Sequence, residues 1–322
     1  MNILITSAGR RNQLLECFRQ SAARLKLPLR ILAADLNPEM SSACQSADAC
    51  FKVPACGDVG YVDALIELCA REKIALLVPT IDPELAPLSR AAGRFKEIGT
   101  TVVISDEATV VLAGDKLATA QQLVAAGVPT PKSVRLADYL KTPATLSGSL
   151  IAKPLNGSSS VGIVFATGAD ELKTLPLNRY VVQERWVGQE FTVNMFFNSA
   201  GKWVTAVPHE RIQVRSGEVS KGRTSRQPQL LAIAQQIAGL LTGARGPLCF
   251  QAIVRPDGTV CVFEINARFG GGYPLAHQAG ATFSQWLLEE VAGLPSTASD
   301  QWQDGVLMLR YDNAVFLPPN KS

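Results

Sequence analysis

The sequence predicts a chain in two parts: a parallel α/β layer first, then an α+β half built on antiparallel strands. Three observations predict it. The first hundred residues alternate short apolar runs with helical stretches, the pattern of a parallel sheet with crossover helices. Beyond Asp106 the strands are short, close together and separated by turn residues. The strongest hairpin signal, Asp257-Gly258, interrupts the apolar run LCFQAIVRPDGTVCVFEIN.

The elements follow in order. Strand NILIT opens the chain, and a helix runs from about Arg11 to Leu25. Strand LRILAAD leads to a short segment, DACFKVP; helix GYVDALIELCAREK leads to strand IALLVPT. Helix PELAPLSRAAGRFKEIG and strand TTVVIS complete the first part. The first βα turn reads SAGRRN and lacks G-x-G-x-x-G, so this layer is Rossmann-like without a dinucleotide fingerprint, although Asp35 ends the second strand. In the second half, helix DKLATAQQLVAA stops at Gly127 before VPTP. The predicted strands SLIAKP, VGIVFA, RYVVQERW and EFTVNMFF follow, then a charged segment, HERIQVRSGEVSKGRTSRQ, expected to be a large loop. Helix PQLLAIAQQIAGLLTG, the hairpin and helix FSQWLLEEVAG end the pattern.

Composition narrows the function. The 322 residues are 47% hydrophobic and 18% charged, ordinary for a globular enzyme, and 31 Lys+Arg against 28 Asp+Glu leave +3. That balance argues against nucleic-acid and membrane-surface partners. No apolar run approaches the ~18 residues that span a bilayer. No basic segment precedes the first apolar residues, so no signal peptide is expected. Seven scattered Cys fit reduced thiols and a cytoplasmic location, and the spacing of Cys44, Cys50 and Cys56 matches no zinc motif.

Two stretches carry chemistry. KPLNGSSSVG, Lys153 to Gly162, has the composition of a phosphate loop, yet its lysine precedes the glycines, unlike a Walker A loop. In the hairpin, a two-residue turn at Asp257-Gly258 would place Arg255 opposite Val260 and Gln251 opposite Glu264, with Asn266 on the same face. Three oxygen-bearing side chains then converge in apolar surroundings. Either a hard cation such as Mg²⁺ or an ion pair with Arg268 would compensate the carboxylate. A one-residue slip would break this register.

Asp115-Lys116, GVPTP, IAKPLNGSSSVGI, VVQERWVGQEFTV and FEINARFGGG, in this order and spacing, resemble the ATP-grasp ligases. The chain looks most like the carbamoyl-phosphate synthetase large chain and the pyrrolysine-pathway ligase. The resemblance implies a pre-ATP-grasp layer at 1–108, a small lobe with the phosphate loop at 109–185, and a large lobe with the metal site at 186–322. It implies ATP and Mg²⁺, with Mn²⁺ as a substitute. Lys116 and Lys153 would reach the phosphates, under a loop carrying Ser158, Ser159 and Ser160. Glu184, Arg185, Trp186 and Val187 would meet the adenine, and Glu190 the ribose. Gln251, Glu264 and Asn266 would hold the metal, with Gln251 where the wider superfamily often has Asp. Arg268 would stabilise the transferring phosphoryl group, and Lys221, with Arg211 and Arg215, would hold phosphate and an anionic substrate from the charged segment. The substrate wall would comprise Ser7, Gly9, Arg10, Asp35, Thr80, Asp82 and Glu84, at the carboxyl ends of the parallel strands.

The implied reaction joins a small-molecule carboxylate to an amine through an acyl phosphate, releasing ADP and phosphate. Carbamoyl-phosphate-synthetase-like transfer to bicarbonate or carbamate is the alternative, and a non-catalytic nucleotide sensor a third reading. A homodimer is compatible with all three.

Overall fold

The computed structural model describes residues 1–155 and 162–318. Its first sheet is parallel, with β1 (Asn2–Thr6), β2 (Arg30–Asp35), β3 (Ala49–Lys52), β4 (Ile74–Val78) and β5 (Thr101–Val102) in the order β3-β2-β1-β4-β5. Helices α1 (Asn12–Leu25), α2 (Ser42–Ser46), α3 (Tyr61–Glu72) and α4 (Leu85–Glu97) make the crossovers. The inner strands are apolar throughout because helices cover both faces of a parallel sheet; Ile3, Leu4 and Ile5 are fully buried.

Helices α5 (Glu107–Gly114) and α6 (Lys116–Ala125) lead out of this layer. The Asp106 carboxylate caps the first, accepting from Thr109 N–H, and the Asp115 carboxylate caps the second, accepting from Leu117 and Ala118 N–H. A small antiparallel sheet follows, made of β6 (Ser133–Arg135), β7 (Leu150–Pro154), β8 (Val164–Ala166) and β9 (Tyr180–Glu184) in the order β6-β9-β7-β8, with α7 (Leu136–Lys141) packed on it. The large sheet contains β10 (Gln189–Phe197), β11 (Trp203–Arg215), β12 (Glu218–Thr224), β13 (Gly246–Val254), β14 (Val260–Asn266) and β15 (Leu307–Leu309). Its order is β14-β13-β10-β11-β12-β15. Helices α8 (Pro228–Leu240), α9 (Tyr273–Gln278) and α10 (Phe283–Ala292) lie in its second half.

The segment expected as a large loop is instead the hairpin β11–β12. Ser216 and Gly217 both have positive φ, +50° and +76°, as a tight two-residue turn requires. The charges obscured the strand pattern, because this hairpin leaves Arg215 and Lys221 exposed to solvent.

One core joins the parallel layer to the large sheet. Ile3, Ile5 and Phe18 share a buried cluster with Phe196, Phe269, Tyr273 and Trp286. Phe269 meets Phe18 edge-on at 6.1 Å and Tyr273 at 4.6 Å between ring centroids. The loop after β14 is therefore fixed from both sides. Among the described residues, no helix is long and apolar enough to cross a membrane.

The chain's two histidines, His209 and His277, lie inside this fold. Burial lowers both from 6.5, His209 to about 3 and His277 to about 4. The unfolded chain takes up a proton on each below pH 6.5, while the folded chain does not. Their contribution is complete above 6.5 and is lost as pH falls toward those values. His277 accepts or donates at Nδ1 to Tyr273 Oη at 3.1 Å and Ser284 Oγ at 3.2 Å, roles a neutral amide can fill. His277→Gln should therefore gain on wild type by about 1.4 kcal/mol per pH unit between roughly pH 6 and pH 4. Urea melts of both proteins across that range check it; parallel stability curves would contradict it.

Candidate active site

A cleft with a cavity of about 370 Å³ opens between the small and large sheets. Strands β13 and β14 form its floor. Near the turn, Val254 pairs with Val260, Ile253 with Cys261 and Ala252 with Val262. This is one residue away from the two-residue-turn register: Arg255 N–H donates to Thr259 O at 2.9 Å, so three residues, Pro256 to Gly258, make the turn. A bulge at Phe263 then restores the other register, so that Gln251 faces Glu264 and Cys249 faces Asn266. The expected pairing is present, but it is a bulge rather than the turn that sets it. The extra residue also turns Phe263 into the cleft, where Lys153 Nζ lies 4.6 Å from its ring centroid.

Glu264 is half-buried on this floor. Among the described residues it has no hydrogen bond and no ion pair within 4 Å. Burial raises its pKa, while Lys116 and Lys153 pull it back. Lys153, at the end of β7, is 8% exposed; burial lowers its pKa, against the attraction of Glu264. Among the described residues, no group of three or more His, Cys, Asp or Glu forms a metal cluster. The donors are one carboxylate and two amide oxygens. That set fits Mg²⁺, an oxygen-seeking ion that takes its remaining ligands from phosphates and water.

Arg268 stands two residues beyond Asn266. It donates to Asn266 Oδ1 at 3.0 Å, to Phe269 O at 3.1 Å and to Asp82 Oδ2 at 2.6 Å. Burial would lower its pKa, but Asp82, together with Cys249 and Glu264, raises it by more and holds the guanidinium charged. Asp82 comes from the turn after β4, so the parallel layer supplies the counter-charge.

The segment 185–187 crosses from β9 to β10, linking the two sheets. Glu184, Arg185 and Trp186 line the cleft, whereas Val187 is 67% exposed and lies outside it. The Arg255 guanidinium covers one face of Trp186 at 3.7 Å. Glu190 lines the cleft and pairs with Arg211 at 2.9 Å, and Arg211 also donates to Thr192 Oγ1 at 3.3 Å and Gly217 O at 3.1 Å.

The other expected wall residues serve different purposes. Glu84 is fully buried: Tyr61 Oη donates to it at 2.5 Å, Ser7 Oγ at 3.1 Å, Thr80 N–H at 2.7 Å and Ile81 N–H at 3.1 Å. Asp35 accepts from Gly9 N–H at 2.9 Å. These five residues, Ser7, Gly9, Asp35, Thr80 and Glu84, knit the strand ends together and do not line the cleft. Arg10 is exposed, with one long contact of 3.4 Å to Ser216 O; its neighbour Arg11 lines the cleft instead. A βα turn aims successive side chains differently, and sequence alone did not separate the two. Lys221 is exposed on β12 outside the cleft, and Arg215 pairs with Asp312 at 2.8 Å. Ser158, Ser159 and Ser160 lie outside the described residues. Sequence reasoning missed Arg11, Glu218 and Phe263, all of which line the cleft; Arg11 and Glu218 stand outside the quoted motifs, and Phe263 opens FEINARFGGG as an apolar residue with no chemistry of its own.

Comparison with known proteins identifies the family. Residues 113–272 match the model of the ATP-grasp domain, and residues 3–103 match that of the PylC-like N-terminal domain. The chain belongs to the ATP-grasp superfamily. A D-alanine–D-alanine ligase of Magnetococcus marinus is 24% identical over 267 residues, 73% of this chain and 86% of that protein. Among solved structures, the biotin carboxylase domain of Hydrogenobacter thermophilus 2-oxoglutarate carboxylase aligns with a TM-score of 0.74 at 14% identity, over 94% of this chain and 72% of that one. The L-amino acid ligase of Bacillus licheniformis aligns with a TM-score of 0.69 at 20% identity, over 92% of this chain and 75% of that one. As an ATP-grasp ligase the chain is an enzyme that uses ATP, and Mg²⁺ is the family's companion ion. Within that frame, the ATP-grasp cleft gathers Lys116, Lys153, Glu190, Gln251, Glu264, Asn266 and Arg268 around one cavity.

Lys153 is a desolvated cation whose charge the folded state disfavours, so its removal should not weaken the fold. It should weaken MgATP binding, because a charge-assisted contact to phosphate contributes about 1.5–3 kcal/mol. Calorimetric titration of Lys153→Ala with MgATP should show roughly a 10- to 100-fold loss in affinity at an unchanged or higher melting temperature. Unchanged affinity would remove Lys153 from the phosphate site.

Proposed function

We propose that this enzyme is an ATP-dependent carboxylate–amine ligase that forms an amide or peptide-like bond through an acyl phosphate. One observation carries the reading: Glu264 sits on the cleft floor beside Gln251 and Asn266, without an ion-pair partner among the described residues, while Lys153 and Arg268 flank it. A sensor has no need to keep an unpaired, half-buried carboxylate next to a charged guanidinium. The likeness to a D-alanine–D-alanine ligase and an L-amino acid ligase supports the same reaction class.

In this reading residues 1–108 are the pre-ATP-grasp layer, 109–185 the small lobe and 186–322 the large lobe. Glu184 to Trp186 present the hinge to the adenine, and Glu190 accepts from the ribose hydroxyls once Arg211 yields it. Lys116 and Lys153 bind phosphate oxygens. Gln251, Glu264 and Asn266 would hold Mg²⁺, which when bound neutralises phosphate charge. A substrate carboxylate oxygen then attacks the γ-phosphorus, the bond to the β–γ bridging oxygen breaks, and ADP leaves. Arg268, held by Asp82, orients the transferring group and stabilises charge on its equatorial oxygens. The amine nitrogen next attacks the acyl carbon, and the phosphate departs with the C–O bond electrons. The amine proton passes to solvent or the departing phosphate. No covalent enzyme nucleophile is required, so catalysis rests on positioning, charge and exclusion of water from the acyl phosphate.

Glu264→Gln should retain ADP binding, since adenine and ribose are held elsewhere. It should lose at least about 100-fold in turnover, the scale of deleting one electrostatic contact to a transition state. The assay is phosphate release from MgATP with pooled carboxylates and amines. Release that requires both pools supports the ligase. Release driven by bicarbonate alone, or near-normal turnover by Glu264→Gln at saturating Mg²⁺, would overturn the assignment.

A further inference from the structure

The hinge between the two antiparallel sheets carries two side-chain stacks that the proposed reaction leaves unused. Adjacent residues reach opposite sheets. The Arg185 guanidinium lies 4.8 Å from the ring centroid of Phe165, on β8 of the small sheet. The ring of Trp186 lies under the Arg255 guanidinium at 3.7 Å, and Arg255 directly follows β13 of the large sheet. The backbone divides at the same place. Glu184 N–H donates to Lys132 O at 3.1 Å and Arg185 N–H to Ser149 O at 2.8 Å, which ties the hinge to the small lobe as far as residue 185. Phe165, Arg185 and Trp186 line the cleft, whereas Arg255 does not.

Three features fix Arg255 against the hinge. The first is its turn. Arg255 N–H donates to Thr259 O and Arg255 O accepts from Gly258 N–H, both at 2.9 Å, so its backbone is held on both sides. The second is strand direction. Gln251, Ile253 and Arg255 occupy alternate positions and share one face, and Gln251 and Ile253 line the cavity. The third is the close approach of the hinge itself. A Cβ on Gly188 would lie 2.5 Å from Val254 O and 3.0 Å from Val254 C, and backbone atoms in a paired strand cannot give way. Gln189 already pairs with Val254. The chain therefore passes against the end of β13 only two residues after Trp186.

We infer that Arg255 is a positioning residue for the nucleotide base, acting through Trp186. Trp186 is half-buried on a segment outside any strand, and Val187 beside it is 67% exposed, so the neighbouring chain does little to fix the indole. A flat cation stacked on one face holds the ring without entering the cavity. An indole that is already ordered costs an arriving base less than one that must be ordered on binding. Arg255 thus links the hinge to the strand that carries Gln251, and base and metal positions are set from one strand. The inference rests on the reading in which the hinge meets the adenine.

Two rivals exist: Arg255 only covers an exposed indole, or its charge attracts the phosphates from a distance. Calorimetric titration with MgADP of wild type, Arg255→Ala, Trp186→Leu and the double variant separates them, with magnesium tripolyphosphate as the probe that has no base. Arg255→Ala should weaken MgADP about threefold or more, within the roughly 2- to 10-fold that ordering one side chain supplies. It should leave tripolyphosphate affinity unchanged. The double variant should bind MgADP no more weakly than Trp186→Leu alone, since the arginine acts through the ring. Arg255 is exposed, so its loss leaves the core intact, and melting curves check this. Unchanged MgADP affinity in Arg255→Ala would overturn the inference, as would equal weakening of MgADP and tripolyphosphate. A full Arg255→Ala effect in the Trp186→Leu background would overturn it too. If Trp186→Leu weakens MgADP and Arg255→Ala does not, the inference alone falls; if neither does, the hinge reading falls with it.

Discussion

A buried guanidinium must have a counter-charge, and in this protein that requirement joins the two halves. Arg268 belongs to the large sheet and Asp82 to the parallel layer, and they meet at 2.6 Å. Removing one partner of such a pair costs about 3–5 kcal/mol, since the other is left charged and desolvated. The contact therefore fixes the relative position of layer and sheet at the point where phosphoryl transfer would occur. Phe269, the next residue, continues the fixation by packing on Phe18 and Tyr273. The same short stretch carries Asn266, Arg268 and Gly270 to Gly272, all of which line the cleft.

The parallel layer has the topology of a ligand-binding domain, and most of its strand-end side chains are tied up within the layer itself. Its strand ends, where open α/β sheets hold ligands, are closed by Glu84 and its four donors and by Asp35 on Gly9. The energetic reason is plain: a fully buried carboxylate needs its oxygens satisfied, and groups that might face a ligand are spent on it. What the layer sends into the cleft is Arg11, and what it sends to its edge is Asp82. Both act through the large sheet, on Glu218 and Arg268.

Charge in the cleft is arranged in nearly balanced pairs with a cationic surplus. Glu190 has Arg211, Asp82 has Arg268, and Glu218 has two arginines, while Lys116 and Lys153 face Glu264. Such a site is costly without anions because its cations repel one another in a medium that screens poorly. Phosphates and carboxylates supply what is missing. Burial lowers the pKa of both Lys153 and Arg11, against the attraction of Glu264 and Glu218.

The sequence by itself determined the two-part architecture, because apolar periodicity and turn residues are local signals. It also determined the order of the chemical motifs, which carried the resemblance to the ATP-grasp ligases, and through that resemblance Lys153, Glu264, Asn266 and Arg268 could be named. Gln251 opposite Glu264 was legible too, but through a two-residue turn; a three-residue turn and the bulge at Phe263 give the same pairing by different geometry. Strand register depends on where one extra residue is absorbed, and no local pattern marks that residue. The β11–β12 hairpin was hidden for a related reason: its charged faces break the apolar alternation that betrays a strand. Only the tertiary structure decided that Arg11 rather than Arg10 enters the cleft, that Lys221 stays outside it, and that Arg310 returns from the end of the chain to Glu218. Those outcomes are set by side-chain direction and by contacts between residues separated by as many as 207 positions, and such contacts leave no trace in the spacing of neighbours.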